Sequence, residues 1–199
     1  KYFFQFPSCE SLLDRNAFDQ IHHQHINYFS LKSISKILKS LGFSIVEYAY
    51  NELHYGSLMI YFKKGIVKRE IKFLKSKINI KEKYFNYQKY LNNIIDIVKA
   101  YKNKNYKIYA IGASLMTPIL NHQFKGLLNI CDNILDDDKS KINKYFPNIN
   151  SKIKSLKETD LKNSIVIISA TASSVTIRKL ISVVDKKNPK IIIIPTLSF

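Results

Sequence analysis

Three of the five histidines of the chain fall within four residues, at His22, His23 and His25. Histidine has the side chain whose unperturbed pKa, about 6.5, lies nearest to neutral pH, so such a cluster suggests proton transfer. If the segment is helical, His22 and His25 share a face, and if it is extended, His23 and His25 do. The cluster can be a general base or substrate-positioning site, an inert hydrogen-bonded group, or a metal site. A metal is disfavoured, and no metal is predicted, because adjacent imidazoles converge poorly on one ion.

The segments that follow the histidines predict a helix and a hairpin that position them. Ser30 suits a helix N-cap, apolar residues follow at helical spacing, and Gly42 stands where a helix ends. Apolar alternation predicts strands from residue 43 to about 50 and over residues 57–62. Gly56 in the loop between them can adopt a positive φ. Before the histidines, residues 2–6 predict a short buried strand that Pro7 ends.

The rest of the chain predicts a long helical connector and then alternating strands and helices. An apolar stripe at helical spacing runs over residues 67–104, with Asn79 as a point where the helix can break. Beyond it, strands are predicted over residues 106–111, 127–134, 164–170 and 190–194, and helices over 117–123 and 174–184. Such βαβ alternation favours a parallel, Rossmann-like sheet in an α/β protein. The expected divisions are residues 1–29, 30–66, 67–105 and 106–199.

Charge and composition limit the partners. The net charge is +17, but the basic residues are almost all lysine, with arginine only at Arg15, Arg69 and Arg178. Arginine is the residue that reads bases and phosphates with two parallel hydrogen bonds, so nucleic acid is disfavoured. No apolar run approaches the roughly 18 residues of a membrane span, and no membrane partner is expected. Cys9 and Cys131 form no disulfide framework, which favours the cytoplasm. The oligomeric state is left open.

The histidine segment resembles a motif of bacterial nucleotide-sugar C-methyltransferases. Residues 17–30 are similar to the segment F-D-x-I-Y-H-E-H-x-x-Y-F-S of that family. Other matches keep the family's order along the chain: Phe6 and Pro7 with E-V-P, residues 54–58 with H-G-G-S-L, Gly112 and Ala113 with G-A, and Asp136 and Asp137 with D-D. The resemblance therefore covers most of the chain and implies the C-terminal portion of such an enzyme.

The resemblance implies a reaction and a set of residues. In the family a base removes a proton beside the keto group of the sugar, and the enolate carbon attacks the sulfonium methyl of S-adenosylmethionine. The base maps to His25, while His22 and Gln24 replace the family's tyrosine and glutamate as the other catalytic candidates. The substrate-binding candidates are His23, Tyr28, His54 and Ser57.

Two alternatives stay open at this point. Gln24 cannot carry a negative charge to raise the basicity of a neighbouring histidine, so O-methylation in surface-polysaccharide modification remains an alternative to C-methylation. The other alternative is a non-catalytic module that binds a nucleotide or sugar. Separately, ligands of parallel sheets bind in the crevice where the strand order reverses, which predicts a candidate ligand site at Gly112, Ala113, Ser114 and Asp136.

The S-adenosylmethionine site is not visible in this sequence. Gly112, Ala113 and Ser114 lack the G-x-G-x-x-G spacing of a phosphate-binding turn. We therefore expect the cofactor to be bound mainly by a domain absent from this chain, which would be inactive alone. Residues 2–6 would be the last strand of that domain.

Overall fold

The described residues form two sheets, one antiparallel and one parallel. The computed structural model describes residues 1–22, 25–54, 56–67, 71, 73 and 79–197. They divide into a first unit, residues 1–84, and a second unit, residues 85–197. The predicted α/β class is confirmed, with a small antiparallel sheet in the first unit and a Rossmann-like parallel sheet in the second. The four predicted divisions stay a prediction.

The first unit is an antiparallel sheet packed against one helix. Its elements are β1 (Tyr2–Phe6), α1 (Cys9–Asp14), a 3-10 helix (Phe18–Gln20), α2 (Leu31–Ser40), β2 (Phe43–Asn51), a 3-10 helix (Glu52–His54) and β3 (Ser57–Lys64). The strand order is β1-β3-β2, with both pairings antiparallel. Leu31, Ile34 and Leu38 of α2 share a core with inward-facing strand residues that include Leu58 and Ile60. This packing fixes the start of α2, where the histidine segment ends.

Helix α2 and the hairpin form as the sequence predicts. The Ser30 side chain accepts a hydrogen bond from the Ser33 N–H at 2.9 Å and so caps the helix. Gly42 follows the helix with φ +78°, and Gly56 has φ +72° in the hairpin loop. A Cβ on Gly56 would lie 2.7 Å from the Ser11 side chain, so the loop also packs closely on α1.

Strand β1 forms as predicted, but the prediction that it is buried is wrong. Tyr2, Phe3 and Phe4 are each at least half exposed. Because β1 is an edge strand that pairs only with β3 within the described residues, its side chains have a neighbouring strand on one side only. The aromatic side chains of β1 therefore remain largely in solvent.

The connector helix is shorter than its apolar stripe predicts. Helix α3 (Ile80–Asn103) begins at residue 80, whereas Val67, Ile71 and Phe73 are not helical. The Val67 N–H donates to the Ser44 hydroxyl at 3.4 Å, and Ile71 packs against the core of the first unit. The Asn79 side chain accepts from the Glu82 N–H at 3.2 Å, which caps the helix at the predicted break.

The second unit is a five-stranded parallel sheet with helices. Its further elements are β4 (Ile108–Ile111), α4 (Met116–Gln123), a 3-10 helix (Leu127–Ile130), β5 (Asn133–Asp136), β6 (Ile153–Ser155), β7 (Ile165–Ile168), α5 (Ser174–Asp185) and β8 (Ile191–Ile193). The order β6-β5-β4-β7-β8 reverses direction between β4 and β7. All four residues of β7 are buried, as expected for a central parallel strand.

The strand predicted over residues 127–134 is wrong in its first half. That half forms the 3-10 helix instead, because two distant side chains bind its backbone. Asn121 Oδ1 accepts from the Leu128 N–H at 2.9 Å, and the Ser151 hydroxyl donates to the Leu128 carbonyl at 2.8 Å. The strand β5 follows, and the short strand β6 beside it was not predicted.

Among the described residues, we find no helix with both the length and the apolar character needed to cross a lipid bilayer.

Candidate active site

His22 and His25 lie between the 3-10 helix Phe18–Gln20 and α2. We call the described residues His22 and 25–28 the histidine turn. The His25 N–H donates to the His22 carbonyl at 3.0 Å, which closes one tight turn of backbone. This bond brings together side chains three residues apart. The structure thus places His22 and His25 on the same side of the turn, in ring contact.

The His25 imidazole is in contact with two other rings of the turn. Its centroid lies 4.3 Å from that of His22, with the planes tilted by 37°, and 5.7 Å from that of Tyr28, edge to face at 85°. Nδ1 of His25 is buried and has no hydrogen-bond partner among the described residues. A buried polar atom without a partner costs roughly 1–3 kcal/mol, so this nitrogen has a hydrogen-bonding requirement that a polar ligand can meet.

The Tyr28 hydroxyl bonds to the backbone on the opposite side of the turn. It accepts from the His22 N–H at 3.2 Å and donates to the Gln20 carbonyl at 3.2 Å. Burial raises the pKa of Tyr28 above its usual value, and the hydrogen bond from the His22 backbone offsets part of that rise. Tyr28 therefore keeps its proton at neutral pH and remains a donor.

The far end of the histidine loop is held by α1. The Cys9 N–H donates to the Phe29 carbonyl at 3.0 Å. Glu10 Oε2 accepts from the Leu31 N–H at 3.0 Å and from the Tyr50 hydroxyl at 3.3 Å. A carboxylate at a helix N-terminus satisfies an N–H that the helix leaves without a partner and interacts favourably with the helix dipole.

The other candidates of the histidine segment and hairpin are not all brought to this turn. His23 and Gln24 lie outside the described residues. His54 ends an exposed 3-10 helix, and the Ser57 hydroxyl accepts from Gln5 Nε2 at 2.8 Å. Neither makes a hydrogen bond or ring contact with the described part of the histidine turn. Their predicted substrate-binding roles stay predictions.

Two carboxylates near the turn were not singled out from the sequence. Asp19, in the 3-10 helix before the histidines, is only 1% exposed and accepts from Gln20 Nε2 at 2.7 Å. The sequence could have indicated Asp19, because it lies in the segment that resembles the methyltransferase motif. Glu10 carried no such signal, because its partners Leu31 and Tyr50 lie 21 and 40 residues away.

The crevice predicted in the second unit lies at the carboxyl ends of β4 and β5. Asp136 Oδ2 accepts from the Ala113 N–H at 2.7 Å and lies 3.4 Å from Lys141 Nζ. The Thr117 hydroxyl donates to the Gly112 carbonyl at 2.8 Å and accepts from the Ser114 N–H at 3.0 Å. The four predicted residues are thus close together, and these polar atoms bind one another. Ligand binding there stays a prediction.

The crevice lacks two features that a Rossmann-type site for S-adenosylmethionine would use. A Rossmann-type site needs a glycine that lets the ligand approach the backbone and an acidic residue free to bind the ribose. A Cβ on Gly112 would lie 2.4 Å from the Ala170 Cβ, so the chain itself fills that approach. The Asp136 carboxylate is already bound to Ala113 and Lys141. The residues at the crevice therefore do not fit the cofactor.

The molecule is thus an α/β protein with a Rossmann-like unit and a histidine turn anchored between α1 and α2. No protein-family model matches the chain. A stretch of 71 residues, 36% of the chain, is 31% identical to part of the C-methyltransferase NovU of Streptomyces niveus. The match spans 17% of the length of that relative. The similarity supports a relationship to methyltransferases. It does not extend to the nucleotide-sugar substrate of the family that the motif resembles.

Proposed function

We propose that this chain is the substrate-binding and catalytic C-terminal part of an S-adenosylmethionine-dependent methyltransferase that acts on a nucleotide-linked sugar. The observation that carries the proposal is the buried His25 Nδ1, which has no partner among the described residues of a turn resembling the methyltransferase motif. The partial identity to a C-methyltransferase supports the same class of reaction.

In this proposal His25 is the general base. A neutral imidazole has one nitrogen that accepts a proton, and general-base catalysis needs that nitrogen within hydrogen-bond reach of the proton it removes. His25 takes the proton from the sugar carbon beside the keto group, and the electron pair of the C–H bond passes to the carbonyl as an enolate. The His22 ring lies 4.3 Å from the His25 ring, so in this proposal it flanks the base.

The cofactor is proposed to bind to other parts of the protein, because the crevice of the second unit does not fit it. The exposed aromatic strand β1 supports an arrangement in which more polypeptide covers this edge. We accordingly expect methyl transfer from the complete protein and none from this chain alone.

The test measures two reactions of the complete protein with a panel of nucleotide-linked keto sugars. His25→Ala is expected to lower methyl transfer by about two orders of magnitude. It is also expected to abolish exchange of deuterium from solvent into the carbon beside the keto group. His122→Ala is the matched control, because His122 is an exposed histidine on α4.

The outcomes separate the alternatives. Wild-type turnover by His25→Ala removes His25 from the mechanism. Methyl transfer without any deuterium exchange, with the methyl group found on oxygen, replaces C-methylation by O-methylation. Nucleotide-sugar binding without either reaction by the complete protein supports the non-catalytic module.

A further inference from the structure

We propose that Tyr28 is a positioning residue for His25, whose hydroxyl closes the histidine turn and whose ring fixes one side of the His25 imidazole. This inference rests on the proposed function, in which His25 is the base. It assigns Tyr28 a role through the backbone and the neighbouring ring, in place of contact with substrate.

The hydroxyl of Tyr28 has its donor capacity committed within the protein. A phenol has one proton to donate, and the proton of Tyr28 goes to the Gln20 carbonyl at 3.2 Å. The same oxygen accepts from the His22 N–H at 3.2 Å. Tyr28 can therefore donate to a substrate only by releasing Gln20, which precedes the histidines. The two bonds tie the backbone on both sides of Ile21 to residue 28.

The bonds of Tyr28 also control where His22 presents its carbonyl. That carbonyl accepts from the His25 N–H at 3.0 Å. His22 is therefore bound at its N–H by the Tyr28 hydroxyl and at its carbonyl by the His25 backbone. Loss of the hydroxyl frees the His22 N–H and loosens the turn that carries His25. Burial holds the pKa of Tyr28 above its usual value, so the donated proton is retained through neutral pH.

The ring of Tyr28 acts on His25 directly. It meets the imidazole edge to face, with centroids 5.7 Å apart, while His22 contacts the same imidazole at 4.3 Å. Edge-to-face pairs are a preferred arrangement of aromatic rings. The His25 imidazole is thus in contact with two rings, and the Tyr28 hydroxyl bonds connect the residues that carry those two rings.

The first test is amide hydrogen exchange and histidine NMR of this chain, which need no turnover. Tyr28→Phe keeps the ring and removes both hydroxyl bonds, and it should speed exchange of the His22 amide about five- to tenfold. Tyr28→Leu removes the ring as well and should shift the His25 ring resonances further. Tyr61→Phe is the matched control, since the Tyr61 hydroxyl makes no hydrogen bond within the described residues.

The second test is the split of kinetic constants in the complete protein. Positioning predicts that Tyr28→Phe lowers kcat by about tenfold and leaves KM within about twofold. Unchanged exchange of His22 in Tyr28→Phe, or a raised KM at constant kcat, overturns the inference. If the wild-type protein transfers no methyl group and exchanges no substrate proton, the proposed function fails, while the amide exchange still decides the role of Tyr28 in the turn.

Discussion

The histidine turn and the crevice of the parallel sheet use their polar atoms in different ways. In the crevice, the Asp136 carboxylate binds Ala113 and Lys141, and the Thr117 hydroxyl binds Gly112 and Ser114. In the histidine turn, backbone bonds are made by Tyr28, but His25 Nδ1 has no partner among the described residues. The polar groups of the crevice bind one another, whereas one imidazole nitrogen of the histidine turn has no hydrogen-bond partner in the part of the chain that the structure describes.

This difference separates a polar cluster that supports the fold from one that is available to a ligand. Buried polar groups are nearly always hydrogen-bonded, because an unmet group loses its interaction with water without replacement. The crevice satisfies this rule with its own residues, including the Ser169 hydroxyl, which donates to the Gly112 carbonyl at 2.8 Å. In the histidine turn, His25 Nδ1, the atom on which the proposed function rests, is an exception to this rule within the described residues. In this molecule, a cluster of polar residues is therefore a weaker indication of a ligand site than a buried polar atom without a hydrogen-bond partner among the described residues.

The largest expected effect on stability concerns the close packing of Gly112 against Ala170 in the crevice. Gly112→Ala places a Cβ 2.4 Å from the Ala170 Cβ at a residue with φ +98°. Strain from the left-handed backbone and from overpacking should together lower the free energy of unfolding by about 3 kcal/mol. Urea unfolding measures this change.

Gly126→Ala is the control for the backbone strain alone. Gly126 has φ +86° in the same unit, and its nearest neighbour would lie 3.4 Å from the added Cβ. We expect a loss of only about 1 kcal/mol there. Equal losses in the two variants would mean that the crevice has room for a ligand, which would undo the contrast with the histidine turn.

The second prediction tests whether Asp136 supports the fold. Asp136→Ala removes the acceptors of the Ala113 and Asp138 N–H groups, so the free energy of unfolding should fall by about 1–2 kcal/mol. Asp185→Ala removes an exposed carboxylate at the end of α5 and should change it by less than about 0.5 kcal/mol. A fully stable Asp136→Ala variant that loses affinity for nucleotide sugars would instead make the crevice a ligand site.

The elements that the sequence predicts well are those built from local signals. Helix α2 follows from the Ser30 cap, its apolar spacing and Gly42, all within 13 residues. The non-helical backbone at Val67 and the 3-10 helix at Leu127–Ile130 were missed because distant residues bind them. Ser44 binds the backbone of Val67, and Ser151 binds that of Leu128.

In the candidate site, too, local spacing was predictive and long-range contacts were not. The spacing of His22 and His25 predicts that they share a face if they lie on one turn, and the structure brings them to 4.3 Å. The roles of Tyr28 and Glu10 depend on the path of the backbone between them. No spacing in the sequence indicates that the Tyr28 hydroxyl returns to Gln20, or that Glu10 reaches the N-terminus of α2.

A third prediction concerns the support of the histidine loop at its far end. Glu10→Ala removes the acceptor of the Leu31 N–H and a negative charge at the start of α2. The free energy of unfolding should fall by about 1 kcal/mol, measured by urea unfolding. Glu47→Ala, at an exposed position on β2, serves as control. If both variants behave alike, the anchoring of the loop by α1 does not depend on Glu10.

The last expected effect has no influence at neutral pH and appears only at alkaline pH. Burial raises the pKa of Tyr50 to about 12, and the neighbouring Glu10 carboxylate adds to the rise. An unfolded chain releases this proton near its ordinary pKa of 10. Between about pH 10 and 12 the folded chain still holds the Tyr50 proton and the unfolded chain does not, so the free energy of unfolding falls as the pH rises. Below about pH 10 both states hold the proton, and the contribution of Tyr50 to stability is fully present.

Tyr50→Phe isolates this contribution from the other tyrosines of the chain. The variant should lack the component of the tyrosinate absorbance that titrates near pH 12, and its stability should depend less on pH between about 10 and 12. Glu10→Gln should move that component toward lower pH, because it removes the negative charge beside the phenol. A Tyr50 titration unaffected by Glu10→Gln would show that the two side chains do not interact in solution. The anchor of the histidine loop would then rest on the backbone bond between Cys9 and Phe29.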